Sequence, residues 1–321
     1  MILITGAVGF IGSALVRQLN DGGNDNLWLV DHLGSSDKWR NLQGKKLAEL
    51  VDKQQLFDWL PGRADQITAI VHLGACSSTV ERDASYLLEN NYRYTIRLAE
   101  YALNHSIRFI YASSAATYGD GGLGFADDHQ QLGRLRPLNM YGMSKHLFDL
   151  WVQKEGLLDS FVGLKFFNVF GPNEQHKGRM ASAITHMLPT AQNEGVIRLF
   201  KSDQPAIYGD GEQQRDFVYV KDVVKMVEHF IDNDATGIYN IASGRPASWN
   251  ALARAVFKAL KVDGRIEYFD MPVDLRGKYQ NYTCADMAKT RAILGQAADC
   301  CPLDEAVGDY ICNYLLPEQI W

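Results

Sequence analysis

Ile2-Leu3-Ile4-Thr5-Gly6-Ala7-Val8-Gly9-Phe10-Ile11-Gly12 is the stretch that decides how this chain folds. A short strand-like run leads into Gly-x-x-Gly-x-x-Gly, and the helical pattern Ser13-Ala14-Leu15-Val16-Arg17-Gln18-Leu19 follows at once. Glycines alone punctuate many turns. A strand before them and a helix after them make the pattern a dinucleotide-binding fingerprint. Gly6 allows a tight turn, Gly9 lets the backbone approach a pyrophosphate, and Gly12 lets the helix lie close on the strand. The helix then aims its unpaired N–H groups and the positive end of its dipole at the phosphates.

Strand-like apolar runs at Asn26–Asp31, Ile67–Leu73, Ile107–Ala112 and Phe161–Asn168 continue the pattern. Between them, Asp83–Asn104 and Asn139–Glu155 have helical length and spacing. Alternation of this kind predicts βαβ units and a parallel sheet covered on both faces. The fold class is therefore α/β, a Rossmann-type doubly wound parallel sheet with a smaller, discontinuous second lobe. Residues 1–168 with about 216–242 are assigned to the nucleotide-binding domain, and 169–215 with 243–321 to the substrate lobe. Ligands should lie between the two, at the carboxyl ends of the strands.

Bulk properties narrow the function. The 321 residues are 46% hydrophobic and carry a net charge of −6, which argues against a dedicated nucleic-acid binder. No apolar run approaches the roughly 20 residues of a membrane span. The first residues already form the nucleotide-binding strand, so no signal peptide is expected and a cytoplasmic location is. The five cysteines, Cys76, Cys284, Cys300, Cys301 and Cys312, lack zinc-type spacing, and no metal site is predicted.

Two constellations carry chemistry. Strand 2 ends at Asp31, an acidic residue of the kind that bonds ribose hydroxyls and favours NAD, while Lys38 and Lys53 could instead favour the 2′-phosphate of NADP. The residues alone leave that choice open. Tyr141 and Lys145 stand four apart, on one helix face. A phenol of pKa about 10 is a poor base at neutral pH; a neighbouring ammonium is expected to draw it toward the working range. Lys145 can also hold the nicotinamide ribose. Ser114 falls after a strand, where its hydroxyl can bind the oxygen being oxidised.

Gly6–Gly12, Ser114, Tyr141/Lys145, Asn168-Val169-Phe170-Gly171-Pro172 and Arg215-Asp216-Phe217-Val218-Tyr219-Val220-Lys221-Asp222 together resemble the extended short-chain dehydrogenase/reductase superfamily. In that superfamily a strand after the substrate lobe returns to the main sheet, a role that fits Phe217–Val220. His72-Leu73-Gly74-Ala75-Cys76-Ser77-Ser78-Thr79, Ala112–Gly119, His176-Lys177-Gly178-Arg179-Met180-Ala181-Ser182 and Lys278-Tyr279-Gln280 with Thr283 narrow the resemblance to the ADP-L-glycero-D-manno-heptose 6-epimerases. The resemblance implies an isomerase with bound NADP (NAD being the alternative), acting on ADP-D-glycero-D-manno-heptose for lipopolysaccharide core synthesis. It also implies a homo-oligomer.

What the resemblance implies can be placed residue by residue. The catalytic set is Tyr141, Lys145, Ser114 and Lys177, with Tyr141 and Lys177 serving opposite orientations of the sugar oxygen. Cofactor positions are Gly6, Gly9, Phe10, Ile11, Gly12, Asp31, His32, Lys38, Lys53, Leu73, Gly74, Ala75, Cys76, Ser77, Asn90, Lys145, Val169 and Lys177. Substrate positions are Ser114, Asn168, Arg179, His186, Phe200, Arg215 and Tyr279. The chain departs from the family at Leu73, where a glutamate is expected, and at Arg179, where a small residue is. It departs again in a longer Phe200–Arg215 stretch. A 4,6-dehydratase would need an Asp-Glu pair where Ala115 and Ala116 stand. A UDP-sugar 4-epimerase uses the same Ser/Tyr/Lys set without a second base such as Lys177, and is the rival reading. A non-catalytic dinucleotide-binding regulator would need only the glycine turn.

Overall fold

A computed structural model describes residues 1–272 and 280–321. Strands β1 (Ile2–Thr5), β2 (Leu27–Asp31), β3 (Glu49–Asp52), β4 (Ala69–His72), β5 (Arg108–Ser114) and β6 (Phe161–Phe166) follow one another with helical crossovers. After them come β7 (Asn168–Phe170), β8 (Val196–Phe200), β9 (Gln214–Arg215), β10 (Phe217–Tyr219), β11 (Gly237–Ile241), β12 (Ala247–Ser248) and β13 (Arg265–Phe269). The main sheet has seven strands in the order β11-β6-β5-β4-β1-β2-β3, all parallel.

The sequence explains the sheet's two covered faces. Successive side chains of a strand point to opposite faces. Leu3 accordingly packs on one side with Val30, Ile70, Phe109, Phe148 and Val152. Its neighbours Ile2 and Ile4 pack on the other with Leu15, Ile110, Leu164 and Val224. Helices Phe10–Asp21 and Val220–Ile231 cover that second face, and Tyr94–Asn104 and Met140–Lys154 cover the first. Each such aliphatic or aromatic side chain withdrawn from water contributes about 1.5–3 kcal/mol.

Three expectations change in the structure. The run Phe161–Asn168 is two strands: β6 stays in the sheet, and β7 leaves it, Asn168 N donating to Asp216 O at 3.2 Å. Because β7 has turned away, its parallel partner β10 goes with it, so Phe217–Tyr219 does not return to the main sheet. The returning strand is β11, which lies beside β6 with Ile238 and Ile241 buried. The stretch Asp83–Asn104 is helical as read, but a π-helical turn at Leu88–Arg93 interrupts it.

Beyond β7, a β8–β13 parallel pair and a β9–β12 antiparallel pair join helices Ala183–Glu194, Trp249–Leu260 and Leu303–Tyr310. Strand order in the main sheet reverses between β1 and β4. A crevice opens above their carboxyl ends there, the place where open α/β sheets bind ligands.

Candidate active site

The crevice is floored by backbone. Gly6 has φ +66°, and a Cβ on it would sit 2.7 Å from Gly74 Cα in the turn after β4. A Cβ on Gly12 would lie 2.1 Å from Gly6 O. Only glycine lets strand, helix and neighbouring turn close up this far. Helix Phe10–Asp21 starts from Gly9 with no side-chain cap, leaving its first N–H groups to an incoming anion. The cavity above has a volume of about 640 Å³, within the range of ligand sites. Its walls include every position that the sequence assigns to the cofactor, from Gly6 to Lys177. A nicotinamide dinucleotide fits this donor set: bare backbone for a pyrophosphate, and cations toward one end.

At that end, Asp31 is already engaged. Its carboxylate accepts from Val8 N at 2.8 Å, His32 N at 2.7 Å and Lys38 Nζ at 2.7 Å. Lys53 Nζ donates to Asn90 Oδ1 at 2.7 Å, which brings the π-turn to the same wall.

Ser114, Tyr141 and Lys145, the residues expected to carry the chemistry, meet where β5 ends. Ser114 closes that strand, its Oγ accepting from Ala116 N at 3.1 Å. Helix Met140–Lys154 begins beside it because Asn139 caps it, accepting from Gly142 N at 2.8 Å; such a cap is worth about 1 kcal/mol. Tyr141 lies in that first turn and hydrogen-bonds Ser114. One turn on, Lys145 is buried with its Nζ donating to Ala112 O at 3.0 Å. Burial dominates both groups. It pulls the Lys145 ammonium down to about 8 and pushes the Tyr141 phenol up, with the Ser114 hydrogen bond opposing. The expectation that Lys145 draws the phenol down is thus reversed in this state: the ammonium turns to a carbonyl, and desolvation outweighs it.

Lys177 lines the same cavity, on the short helical turn Gln175–Met180 that Gly178 kinks at φ 52°. Its Nζ stands 5.4 Å from the centre of the Phe10 ring. Burial lowers its pKa, against the raising effect of Glu174. A lysine used as an acid/base near neutral pH needs a shift in that direction.

Buried polar groups outside the sequence reading hold these walls together. Asn91 accepts from Cys76 N at 2.8 Å, and donates to Cys76 O at 2.9 Å and Ser144 Oγ at 3.0 Å. It therefore ties the turn after β4 to the Tyr141 helix. The His72 ring bonds Thr5 Oγ1 at 2.6 Å and Thr95 Oγ1 at 2.9 Å. Thr95 Oγ1 donates to Asn91 O, so His72 Nε2 carries the proton and Nδ1 accepts from Thr5. Below Ser114, Asp149 accepts from Lys165 Nζ at 2.6 Å, Ser113 Oγ at 2.7 Å and Tyr111 OH at 3.1 Å. Its place next to Asn90, a predicted contact, was the one signal in the sequence for Asn91; the others left none.

The assigned substrate positions divide. Ser114 lines the cavity. Asn168, Arg179 and His186 are exposed on β7 and the elements after it. Phe200 ends β8, packed against Phe269 with ring centres 4.9 Å apart. Arg215 is buried, 5.9 Å from the centre of the Trp249 ring. The neighbouring Asp216 carboxylate accepts from Ser243, Gly244 and Ala285. Tyr279, with Lys278, lies outside the described residues. No described helix is long and apolar enough to cross a membrane.

Residues 2–242 match the NAD dependent epimerase/dehydratase family. A Nitratidesulfovibrio vulgaris protein called ADP-L-glycero-D-manno-heptose-6-epimerase is 48% identical, over 98% of both chains. One of the same name from Fusobacterium nucleatum is 44% identical, over 99% of both. The solved Helicobacter pylori ADP-L-glycero-D-manno-heptose-6-epimerase superposes with a TM-score of 0.79 at 26% identity, over 97% of this chain and 95% of that one. The Thermotoga maritima UDP-glucose 4-epimerase, at 23% identity and a TM-score of 0.78 over 99% of both chains, shares the fold.

Proposed function

The chain belongs to the NAD dependent epimerase/dehydratase family, and from that premise we propose that it inverts C6″ of ADP-D-glycero-D-manno-heptose to give the L-glycero epimer. The observation that carries this reading is that Tyr141 and Lys177 line one cavity together with Ser114. Two acid/base groups around one site suit a carbonyl whose oxygen must point two ways. A 4-epimerase, which turns the whole ketosugar over, needs one. The names of the relatives at 44–48% identity point the same way.

The alcohol carbon at C6″ bears no acidic proton, so inversion by deprotonation is closed to it. A bound nicotinamide dinucleotide supplies reversible hydride acceptance. The chain's own residues do the rest. Ser114 orients the reacting oxygen by hydrogen bond, and Tyr141 removes its proton. When the flat ketone is reduced on its other face, the oxygen points toward Lys177, whose ammonium donates its own proton. Tyr141 then gives up the proton it took, and Lys177 regains one by exchange with solvent before the next turnover. Backbone N–H groups from Gly9 onward would hold the pyrophosphate, and Lys145 the nicotinamide ribose. Asp31 has its charge taken up by Lys38 at 2.7 Å, and Lys53 adds a second cation to that wall. This pair favours a 2′-phosphate, and NADP over NAD. The reading carries with it a cytoplasmic homo-oligomer whose product feeds lipopolysaccharide core synthesis.

The test is to incubate purified protein with ADP-D-glycero-D-manno-heptose, without added cofactor, and follow the sugar by proton NMR. Appearance of the L-glycero epimer supports the reading; acid release and enzymatic cycling then identify the bound nucleotide as NADP or NAD. No conversion after adding NADP and then NAD, with UDP-sugar 4-epimerisation present, refutes it.

A further inference from the structure

The loop that carries Lys177 is anchored by a residue that the proposed chemistry does not use. Asn173 is fully buried and has φ +76°, a left-handed conformation that asparagine tolerates better than most residues. Each polar atom of its amide and its carbonyl is occupied. Nδ2 donates to Ser13 Oγ at 3.1 Å and to Trp321 O at 3.1 Å, while Oδ1 accepts from Trp321 N at 2.9 Å. Its main-chain O accepts from Asn41 Nδ2 at 3.1 Å, which also donates to Val8 O at 3.0 Å and lies 3.3 Å from His176 Nδ1.

These bonds join three parts of the site. Val8 belongs to the glycine loop, and Ser13 lies one turn along the helix from Phe10, its Oγ donating to Phe10 O at 3.1 Å. Phe10 is the ring that Lys177 Nζ faces. Asn173 therefore fixes the Lys177 loop to the same helix end that would hold the pyrophosphate. Trp321 braces the arrangement from outside. Its O accepts from Lys45 Nζ at 2.6 Å, and its ring lies 5.3 Å from Lys221 Nζ, itself paired with Asp309 at 2.7 Å.

We infer that Asn173, clasped by Trp321 and Asn41, is a positioning residue that sets Lys177 against the cofactor helix. The inference rests on the proposed epimerase reading for what Lys177 does, but the clasp itself can be read on the lysine directly. The titratable groups that act on Lys177 or are acted on by it are Glu174 and His176, both on its own loop; Lys38 on the turn after β2 and Asp31 at the end of β2 act on His176. Burial is the largest influence on the lysine, ahead of Glu174. Loosening the loop would admit water and raise the pKa toward the ordinary lysine value.

The variants are Asn173→Gly, which keeps the backbone conformation and deletes the amide, and Trp321→Ala, which removes only the brace's ring. In the full-length protein, kcat and KM for ADP-heptose epimerisation are measured across pH, with bound nucleotide counted by absorbance. In parallel, competitive acylation at several pH values, read by mass spectrometry of the Lys177 peptide, gives the titration of that amine. We expect kcat to fall about tenfold or more for Asn173→Gly, the scale of a misplacement near 1 Å. KM should stay within about threefold, as for an interaction used only in the transition state. Bound nucleotide should be unchanged, and the Lys177 titration should move up, toward the ordinary lysine value. Trp321→Ala should move both readouts in the same direction by less, and it decides the matter if Asn173→Gly does not fold. An unmoved Lys177 titration in folded variants overturns the clasp, whatever happens to activity. A wild type that fails to epimerise overturns the epimerase reading instead, and leaves the acylation experiment to decide the clasp.

Discussion

Asp149→Asn should cost far more than a one-atom change suggests, and in a pH-dependent way. The side chains of Asp149 and Lys165 are both 0% exposed, with Nζ and Oδ2 2.6 Å apart. Asparagine keeps the shape, but its single acceptor oxygen can take the place of only one carboxylate oxygen, the one that serves Tyr111 or the one that serves Ser113, and the Lys165 ammonium loses its counter-charge. Thr117 Oγ1 at 2.6 Å and the Tyr118 ring at 5.1 Å remain to it. Removing one partner of a buried pair costs about 3–5 kcal/mol. An escape route caps the loss, since discharging an ordinary lysine ammonium at pH 7 costs about 5 kcal/mol. Either way the folded variant holds that proton less tightly than the unfolded chain does. Its stability should therefore rise with pH, by up to about 1.4 kcal/mol per unit between neutrality and the ordinary lysine value, relative to wild type. Thermal melts followed by circular dichroism at pH 6.5, 8 and 9.5 would read this, at about 2 °C per kcal/mol for a chain of this size. A loss below about 1 kcal/mol, parallel to wild type at every pH, would refute the reasoning; it would mean that water reaches the ammonium.

Three further outcomes are expected. Tyr141→Phe should lower turnover by about 10²–10⁴-fold, the usual worth of a positioned acid/base, and keep its bound nucleotide; coincident loss of both would assign the hydroxyl a structural role. Gly12→Ala places a Cβ 2.1 Å from Gly6 O, against backbone that cannot yield, so the purified variant should lose its nucleotide absorbance; full occupancy would contradict the cradle. Burial, with help from the nearby Lys145 charge, holds the His72 imidazole at about 3 instead of 6.5. As pH falls below 6.5 the unfolded chain takes up the proton first, so stability drops, by about 3 kcal/mol at pH 4.5. His72→Asn should flatten that slope in melts at pH 6.5 and 4.5, and an unchanged slope would place the acid lability elsewhere.

Residues that line the crevice were legible in the sequence because their patterns are local. Gly6–Gly12 needs only a strand before it and a helix after it, and Tyr141 and Lys145 need only one helical turn. What holds these groups together was not legible. Asn173 meets Ser13 across 160 positions, Asn91 meets Ser144 across 53, and Lys165 meets Asp149 across 16. No spacing rule reaches that far. The same blindness explains the misplaced returning strand. Phe217–Val220 was the stretch expected to return, and only the departure of Asn168–Phe170 from the sheet, taking Phe217–Tyr219 with it, leaves the place beside β6 to Gly237–Ile241. It also explains the phenol. A lysine one turn away argues for a lowered Tyr141 pKa, yet proximity in sequence says nothing about how much water each group has lost. With Lys145 turned to Ala112 O and both groups buried, desolvation has the larger effect and the phenol moves up. The reactive groups of this site are thus written locally, but their proton affinities are set by packing. Substitutions that leave Tyr141, Lys145 and Lys177 untouched and alter only the buried contacts beneath them should therefore move pH profiles before they abolish binding.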